Sequence, residues 1–182
     1  MKVLVSAASK HGATSEISEE IGRGLREALN ERGGDEVSVD VRPAEQVSSV
    51  DEYDAVVLGS AVYAGHWLQS ARELAERHAE ALSERPTWIF SVGPIGDPPK
   101  PEEDPVDVAS VLEATRARDH RIFAGKLDKS RLGFAEKAIV LALRAPEGDF
   151  RDWDAVGDWT REIARELAPE SEGDAPRGEA RA

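Results

Sequence analysis

Two patterns of hydrophobic and polar positions alternate along this chain, one typical of strands and one typical of helices. Together they predict strands that are each followed by a helix. Short apolar runs predict five strands, at residues 3–5, 37–41, 55–60, 86–93 and 121–125. The run at 55–60 is unbroken, as in the buried middle of a parallel sheet, and the run at 86–93 predicts another buried strand. Valines alternate with polar residues at 37–41, as in a strand at or near a sheet edge. This order predicts an α/β fold in which right-handed crossovers place helices on both faces of a parallel sheet.

The segments between the strands carry apolar residues at helical spacing. They predict helices from near Ser15 to the Gly33-Gly34 pair, from Trp67 to Leu82, from near Asp104-Pro105 to Thr115, over residues 131–144, and from Asp152 to Leu167. Ser130 and Asp152 are the expected N-caps of the last two helices, and residues 146–149 resemble a turn. We expect Trp88 in the core, and Trp153 and Trp159 to pack the last helix onto the sheet.

The loop that joins the first strand to the first helix has the composition of an anion-binding site. Residues Ser6 to Thr14 are mostly small or hydroxylated, with one glycine, Gly12. The unpaired N–H groups and the positive dipole end of a helix N-terminus point at such a loop, and hydroxyls add donors. Neither the Walker pattern nor the G-x-G-x-x-G pattern is present, so a single phosphate monoester fits best. An ordinary loop in which Thr14 caps the helix is the alternative.

Two further loops follow buried strands. Residues 61–66 contain Tyr63, and a large aromatic side chain in a loop needs a flat partner to cover. Residues 93–101 are too rich in glycine and proline for a helix. In an open parallel sheet these loops and the first one meet at the carboxyl edge of the strands, where ligands bind at a topological switch point.

Composition excludes several classes of chemistry. The chain has no cysteine, which rules out disulfides, thiolate catalysis and cysteine-ligated metals. Its histidines lack ligand spacing, so we expect no metal site. The formal net charge of −13 disfavours nucleic acid and anionic lipid as partners, although a salt-rich cell interior or basic redox partners could also select it. No signal peptide or spanning run is seen, so a cytoplasmic protein is expected.

Several segments of the sequence resemble one known family. Ser9 to Thr14 has the form S-x-x-G-x-T, like the phosphate loop for flavin mononucleotide (FMN) in flavodoxins. The segments LVSAASKHGATSEIS, YDAVVLGSAVYAGHW, FAGKLD and DWDAVGDWTREIA are similar to the menaquinone-dependent protoporphyrinogen oxidase branch of the flavodoxin superfamily. The resemblance covers residues 1–168 and implies one FMN-binding domain. Its fold would be a flavodoxin-like, doubly wound parallel sheet of five strands in the order 2-1-3-4-5, with an insert after strand five at about residues 126–152.

The resemblance also implies where the cofactor binds. Hydroxyls of the first loop and its backbone N–H groups would hold the phosphate, and the second and third loops would line the two sides of the flavin ring. The candidate cofactor-binding residues are Ser6, Ser9, Lys10, His11, Gly12, Ala13 and Thr14 for the phosphate, Ala61, Val62, Tyr63, Ala64 and Gly65 on one side of the ring, and Gly93, Pro94 and Ile95 on the other. Many flavodoxins have an aromatic residue in the third loop. This chain has none there, which would leave one flavin face open to a flat substrate.

The insert and the end of the chain differ in composition from the rest. Basic residues at 126, 129, 131, 137 and 144 make the insert the more basic part of an acidic chain. Residues 126–144 could contact lipid or a quinone tail, as a peripheral contact at the inner face of the membrane. The alternative is packing on the domain or on a second subunit in a homodimer. Residues 169–182 have no periodicity and are expected to form a disordered acidic tail.

Three functions follow from these features. The leading hypothesis is an FMN-dependent oxidoreductase that passes electrons from a reduced organic substrate, protoporphyrinogen IX in the related branch, to a quinone. His66 would shuttle protons at the flavin edge, because imidazole titrates near neutrality, and a surface loop histidine is the alternative. The second hypothesis is a non-catalytic flavodoxin that carries electrons to a redox-protein partner. The third is a domain without flavin that serves in assembly.

Overall fold

A computed structural model describes residues 1–32, 37–93, 105–134, 137–138 and 146–168 of the chain. The helix end expected at Gly33-Gly34, most of the loop expected over residues 93–101 and three further predictions therefore fall wholly or largely outside the described residues. The three further predictions concern Pro94 and Ile95, most of the helix expected over residues 131–144, and the tail expected from residue 169.

A parallel sheet of five strands lies at the centre of the molecule. Its strands are β1 (Lys2–Ala8), β2 (Ser38–Pro43), β3 (Ala55–Tyr63), β5 (Thr87–Val92) and β6 (His120–Phe123), in the order β2-β1-β3-β5-β6. A two-residue strand, β4 (His66–Trp67), pairs with β3 in the antiparallel sense. When β4 is set aside, the order is the predicted 2-1-3-4-5, and β2 lies at an edge as its alternating valines indicate.

A second, two-stranded sheet was not expected from the sequence. It pairs β7 (Lys126–Leu127) with β8 (Gly148–Asp149). The prediction of a turn over residues 146–149 is therefore wrong at its last two residues, because a partner strand about twenty residues earlier in the chain recruits them. The two strands lie near the two ends of the segment 126–152 that is expected to be an insert.

The helices are α1 (Ala13–Glu31), α2 (Gln69–Arg77), α3 (Ala79–Ser83), α4 (Val108–Thr115) and α5 (Trp153–Leu167). The single helix expected from Trp67 to Leu82 is two helices, since His78 between them has φ −114°, and Trp67 belongs to β4. The Asp152 carboxylate accepts from Ala155 N at 3.0 Å, which confirms the predicted cap of α5. Ser130 lies inside a short 3₁₀ turn that Asp128 caps. None of the described helices is long and apolar enough to cross a membrane.

Alternation along the strands builds a hydrophobic layer on each face of the sheet. Helices α1 and α5 cover one face, and α2, α3 and α4 cover the other. Trp88 and Trp159 are buried in the first layer, as predicted. The prediction for Trp153 is wrong, because its side chain is 41% exposed and the guanidinium of Arg151 lies over its ring at 4.5 Å.

Candidate functional site

The loop after β1 folds as a tight turn that leads directly into α1. Gly12 N donates to the Ser9 hydroxyl at 3.2 Å, and Gly12 has φ 92°, in the left-handed region that favours glycine. Gly12 occupies the N-cap position, and no side chain caps the helix. The helix thus begins two residues before the expected Ser15, and Thr14 lies within its first turn and does not cap it.

The first turn of α1 presents several hydrogen-bond donors that the described residues leave unused. No described group accepts from the backbone N–H of Ala13, Thr14 or Ser15. The Thr14 hydroxyl is on a side chain only 2% exposed and likewise has no partner among the described residues. Converging N–H groups at the positive end of a helix dipole, with a hydroxyl beside them, are the donor set that binds a phosphate.

The second loop is a hairpin between β3 and β4. Tyr63 pairs with His66 across the turn, and the two residues between them both have positive φ, 49° at Ala64 and 79° at Gly65. These values are typical of a type I′ turn, which suits glycine at both central positions better than alanine. Val106 N donates to Gly65 O at 2.8 Å, so the segment that leads into α4 holds this turn in place.

The first and second loops are in contact. The Lys10 ammonium lies 5.0 Å from the centre of the Tyr63 ring, and the His11 ring meets the same ring edge-on at 6.0 Å. At the end of β5, Gly93 is packed so closely on β3 that a Cβ there would lie 2.9 Å from Val62 Cβ. The described part of the third loop therefore starts beside the second one.

The predicted ring-lining residues differ in their accessibility. Ala61 is 7% exposed and sits within β3. Val62, Tyr63 and Gly65 are partly exposed, and Ala64 is exposed. The accessible part of this set is thus the turn itself, with the end of β3.

Asp107 organises the hairpin, and nothing in its sequence context signals this beyond its place just before a helix. Its carboxylate accepts from Trp67 N at 2.8 Å and lies 3.2 Å from His66 Nδ1. The Arg72 guanidinium is 3.8 Å away. His66 is about half exposed, so Asp107 orients an imidazole that solvent can still reach.

Ser6 is placed differently from the other candidate residues. It lies within β1, is fully buried, and its hydroxyl has no hydrogen-bond partner. Along β1, alternation puts it on the same face as Leu4 and Ala8, which pack under α2. The structure thus places Ser6 in the interior of the sheet and not in the loop.

Ser6→Ala is expected to raise the free energy of unfolding by about 1 kcal/mol, because it removes a buried hydroxyl that lacks a partner. Urea unfolding measures this change. Ser60→Ala is the matched control, since the Ser60 hydroxyl accepts from Leu68 N at 2.9 Å and its loss should lower stability. A Ser6→Ala variant less stable than the parent would contradict the prediction.

Arg151 connects the end of the insert to α1. Its side chain is 4% exposed, and it donates to Glu16 Oε2 at 2.6 Å and to Asp149 at 2.8 and 2.5 Å. The hydrogen bonds from Arg151 hold the pKa of Asp149 below its ordinary value. The sequence offered no signal for this contact, because Glu16 and Arg151 are 135 positions apart.

No group of three or more histidine, aspartate or glutamate side chains that could hold a metal occurs in the described part of the chain. The candidate residues described above are backbone donors and hydroxyls at the start of α1, and the Tyr63 ring with Lys10 and His11 packed on it.

Comparisons with known proteins agree with this architecture. The profile of a family described as a flavodoxin domain matches residues 4–154. The protoporphyrinogen IX dehydrogenase [quinone] of Escherichia coli strain K12 is 25% identical over 179 residues, which cover 90% of this chain and 95% of that protein. A flavodoxin from the domain Archaea superposes with a TM-score of 0.61 at 18% identity, covering 92% of this chain and 99% of the other. For oxidised flavodoxin 1 from Bacillus cereus the TM-score is 0.57 at 12% identity, with the same coverage.

Proposed function

Because the chain belongs to the flavodoxin domain family, we propose that it binds FMN at the carboxyl edge of its sheet and acts as an oxidoreductase. One observation carries the proposal. The loop that leads directly into the unused donors at the start of α1 packs on Tyr63 through Lys10 and His11. Donors for a phosphate and an aromatic surface for a flat ring are thus adjacent, as one flavin nucleotide requires.

The phosphate would be held by backbone N–H groups of the first loop and of the first turn of α1, with the unused ones at residues 13–15, and by the hydroxyls of Ser9 and Thr14. Gly12 has a left-handed backbone conformation, and a backbone turn of this kind can form a concave anion-binding surface from successive N–H groups. Tyr63, Ala64 and Gly65 would line one side of the ring, and Gly93, Pro94 and Ile95 the other. Ser6 and Ala61 lie behind these residues and would support them from within the sheet.

Bound FMN supplies the redox chemistry, and the protein binds, orients and tunes it. The turn at Ala64-Gly65 would hold the edge of the flavin ring in place. The turn is itself held by hydrogen bonds to Val106 and Asp107. The name of the Escherichia coli relative supports a quinone as electron acceptor and protoporphyrinogen IX as the reduced substrate. We propose these as the reaction partners.

His66 would carry protons between substrate and solvent. Its Nδ1 faces the Asp107 carboxylate, which leaves Nε2 as the nitrogen that can exchange a proton with a reactant. His66→Gln should lower the turnover number about tenfold without changing FMN affinity. This loss is smaller than that expected for an acid or base enclosed in a pocket, because water reaches the exposed imidazole and can partly take over its proton transfer. Unchanged turnover would show that His66 is only a surface residue of the loop.

The proposal is tested by titrating the purified protein with FMN and following flavin absorbance and fluorescence. Saturable binding with one FMN per chain is expected, followed by quinone-dependent oxidation of protoporphyrinogen IX at a steady rate. Binding without this turnover would favour an electron carrier, whose acidic surface would dock on basic redox partners. Failure to bind FMN would refute both redox functions and leave a role in assembly.

A further inference from the structure

Glu16 places a negative charge at the end of α1 where the phosphate is proposed to bind. It lies in the first helical turn, and helical side chains tilt towards the N-terminus. Its carboxylate is therefore directed towards the same end as the unused N–H groups of residues 13–15. A carboxylate in that position competes with an anionic ligand for the positive end of the helix dipole and repels it.

Arg151 places a positive charge against this carboxylate from a fixed position. One guanidinium nitrogen is 2.6 Å from Glu16 Oε2, while the opposite edge of the guanidinium binds Asp149 through two hydrogen bonds. Trp153 supports its face at 4.5 Å. Only 4% of the Arg151 side chain is exposed, whereas Glu16 is 46% exposed. Arg151 is therefore the fixed member of the pair, because its planar fork is held on three sides.

Arg151 lies at the end of the proposed insert. It lies two residues after β8, and β8 pairs with β7 at the start of the proposed insert. Phe150 N also donates to Gly125 O at 3.1 Å, which fixes the returning chain just before Arg151. The base of the insert, formed by β7, β8 and the residues that follow β8, therefore positions the Arg151 guanidinium at the start of α1.

We propose that Arg151 gives the site its preference for a phosphorylated flavin over an unphosphorylated one, by compensating the charge of Glu16 at the N-terminus of α1. This inference rests on the proposed FMN site and deepens it. Arg151 acts here as a positioning and charge-compensating residue, and the base of the insert becomes part of the cofactor site.

The test compares FMN with riboflavin, which has the same ring but no phosphate, in fluorescence titrations at low ionic strength. Arg151→Gln should weaken FMN binding about fivefold to tenfold, since it exposes the phosphate to an uncompensated carboxylate. Riboflavin affinity should stay within about twofold of the parent value, because riboflavin has no charged group for the Glu16 carboxylate to repel. Glu16→Gln should tighten FMN binding about threefold, and the double variant should return close to the parent value.

Arg161→Gln is the matched control. Arg161 is 57% exposed on α5 and pairs with Asp158. Its replacement changes the net charge by the same amount as Arg151→Gln, but at a position where solvent screens the charge. FMN affinity should change less than about twofold. Added salt should reduce the effect of Arg151→Gln, which a packing defect would not do.

The outcomes separate this inference from the proposed function. If the parent protein binds FMN but Arg151→Gln weakens FMN and riboflavin equally, Arg151 only maintains the fold and the inference is wrong. If Arg151→Gln does not fold, Glu16→Gln decides, since unchanged FMN affinity in that variant refutes the inference. A parent protein that binds neither flavin refutes the proposed function itself.

Discussion

Gly59→Val is expected to lower the free energy of unfolding by about 3 kcal/mol, because the centre of the sheet has no space for another side chain there. A Cβ on Gly59 would lie 2.1 Å from Phe90 Cζ and 2.3 Å from Phe90 Cε1. Urea unfolding followed by circular dichroism measures the change.

The size of this effect follows from what surrounds the Phe90 ring. The ring is fully buried and packs on Phe123 and Trp159, with ring centres 6.1 Å away in both cases. It therefore has no free direction in which to move, and the clash must be relieved by shifting β3 against β5. A loss below about 1 kcal/mol would show that the aromatic cluster repacks more easily than its geometry indicates.

Gly157→Ala is the control for glycine replacement as such. Gly157 lies in α5, and an added Cβ would come no closer than 3.4 Å to the end of the flexible Arg161 side chain. Alanine has the higher helix propensity, so this variant should be more stable than the parent by up to about 1 kcal/mol. The two glycines thus predict changes of opposite sign.

The sheet could be predicted from the sequence because burial leaves a direct pattern in it. The apolar runs of β3 and β5 and the alternating valines of β2 each reflect how many faces of the strand are covered. The stripe of Ile17, Ile21 and Leu25 marks α1 for the same reason, since all three are fully buried.

The finer features of the site left weaker signals. The hairpin at Ala64-Gly65 lacks the Asn-Gly or Asp-Gly pair that usually marks such a turn, so β4 and the burial of Trp67 were not foreseen. The break at His78 involves neither glycine nor proline. Asp107 reads as an ordinary residue before a helix, although its carboxylate holds the hairpin. Each of these depends on tertiary contacts that a local pattern does not carry.

The first loop shows the same limit within a single motif. Its composition indicated an anion site, and the structure adds which donors are unused. It places Thr14 in the first turn, which rules out the alternative in which Thr14 caps the helix, and it places Ser6 in the core of the sheet. The loop thereby divides into residues that face a ligand and one that faces the interior, a distinction that depends on where α1 begins.

Thr14→Val should weaken FMN binding by about 1.5 to 3 kcal/mol, the contribution of one hydrogen bond to a charged group. Valine preserves the shape of threonine, so the buried first turn should keep its packing. Riboflavin affinity should stay unchanged, because the lost hydroxyl serves only the phosphate. Fluorescence titration with both flavins measures the two effects separately.

Thr14→Ser is the matched control, since it keeps the hydroxyl and removes only a methyl group. It should bind FMN within about threefold of the parent, while Thr14→Val binds at least about tenfold more weakly. No hydrogen bond joins the Thr14 hydroxyl to another described residue, so without ligand Thr14→Val should not be destabilised by a lost hydrogen bond. A Thr14→Val protein that keeps both its stability and its FMN affinity would place the phosphate elsewhere.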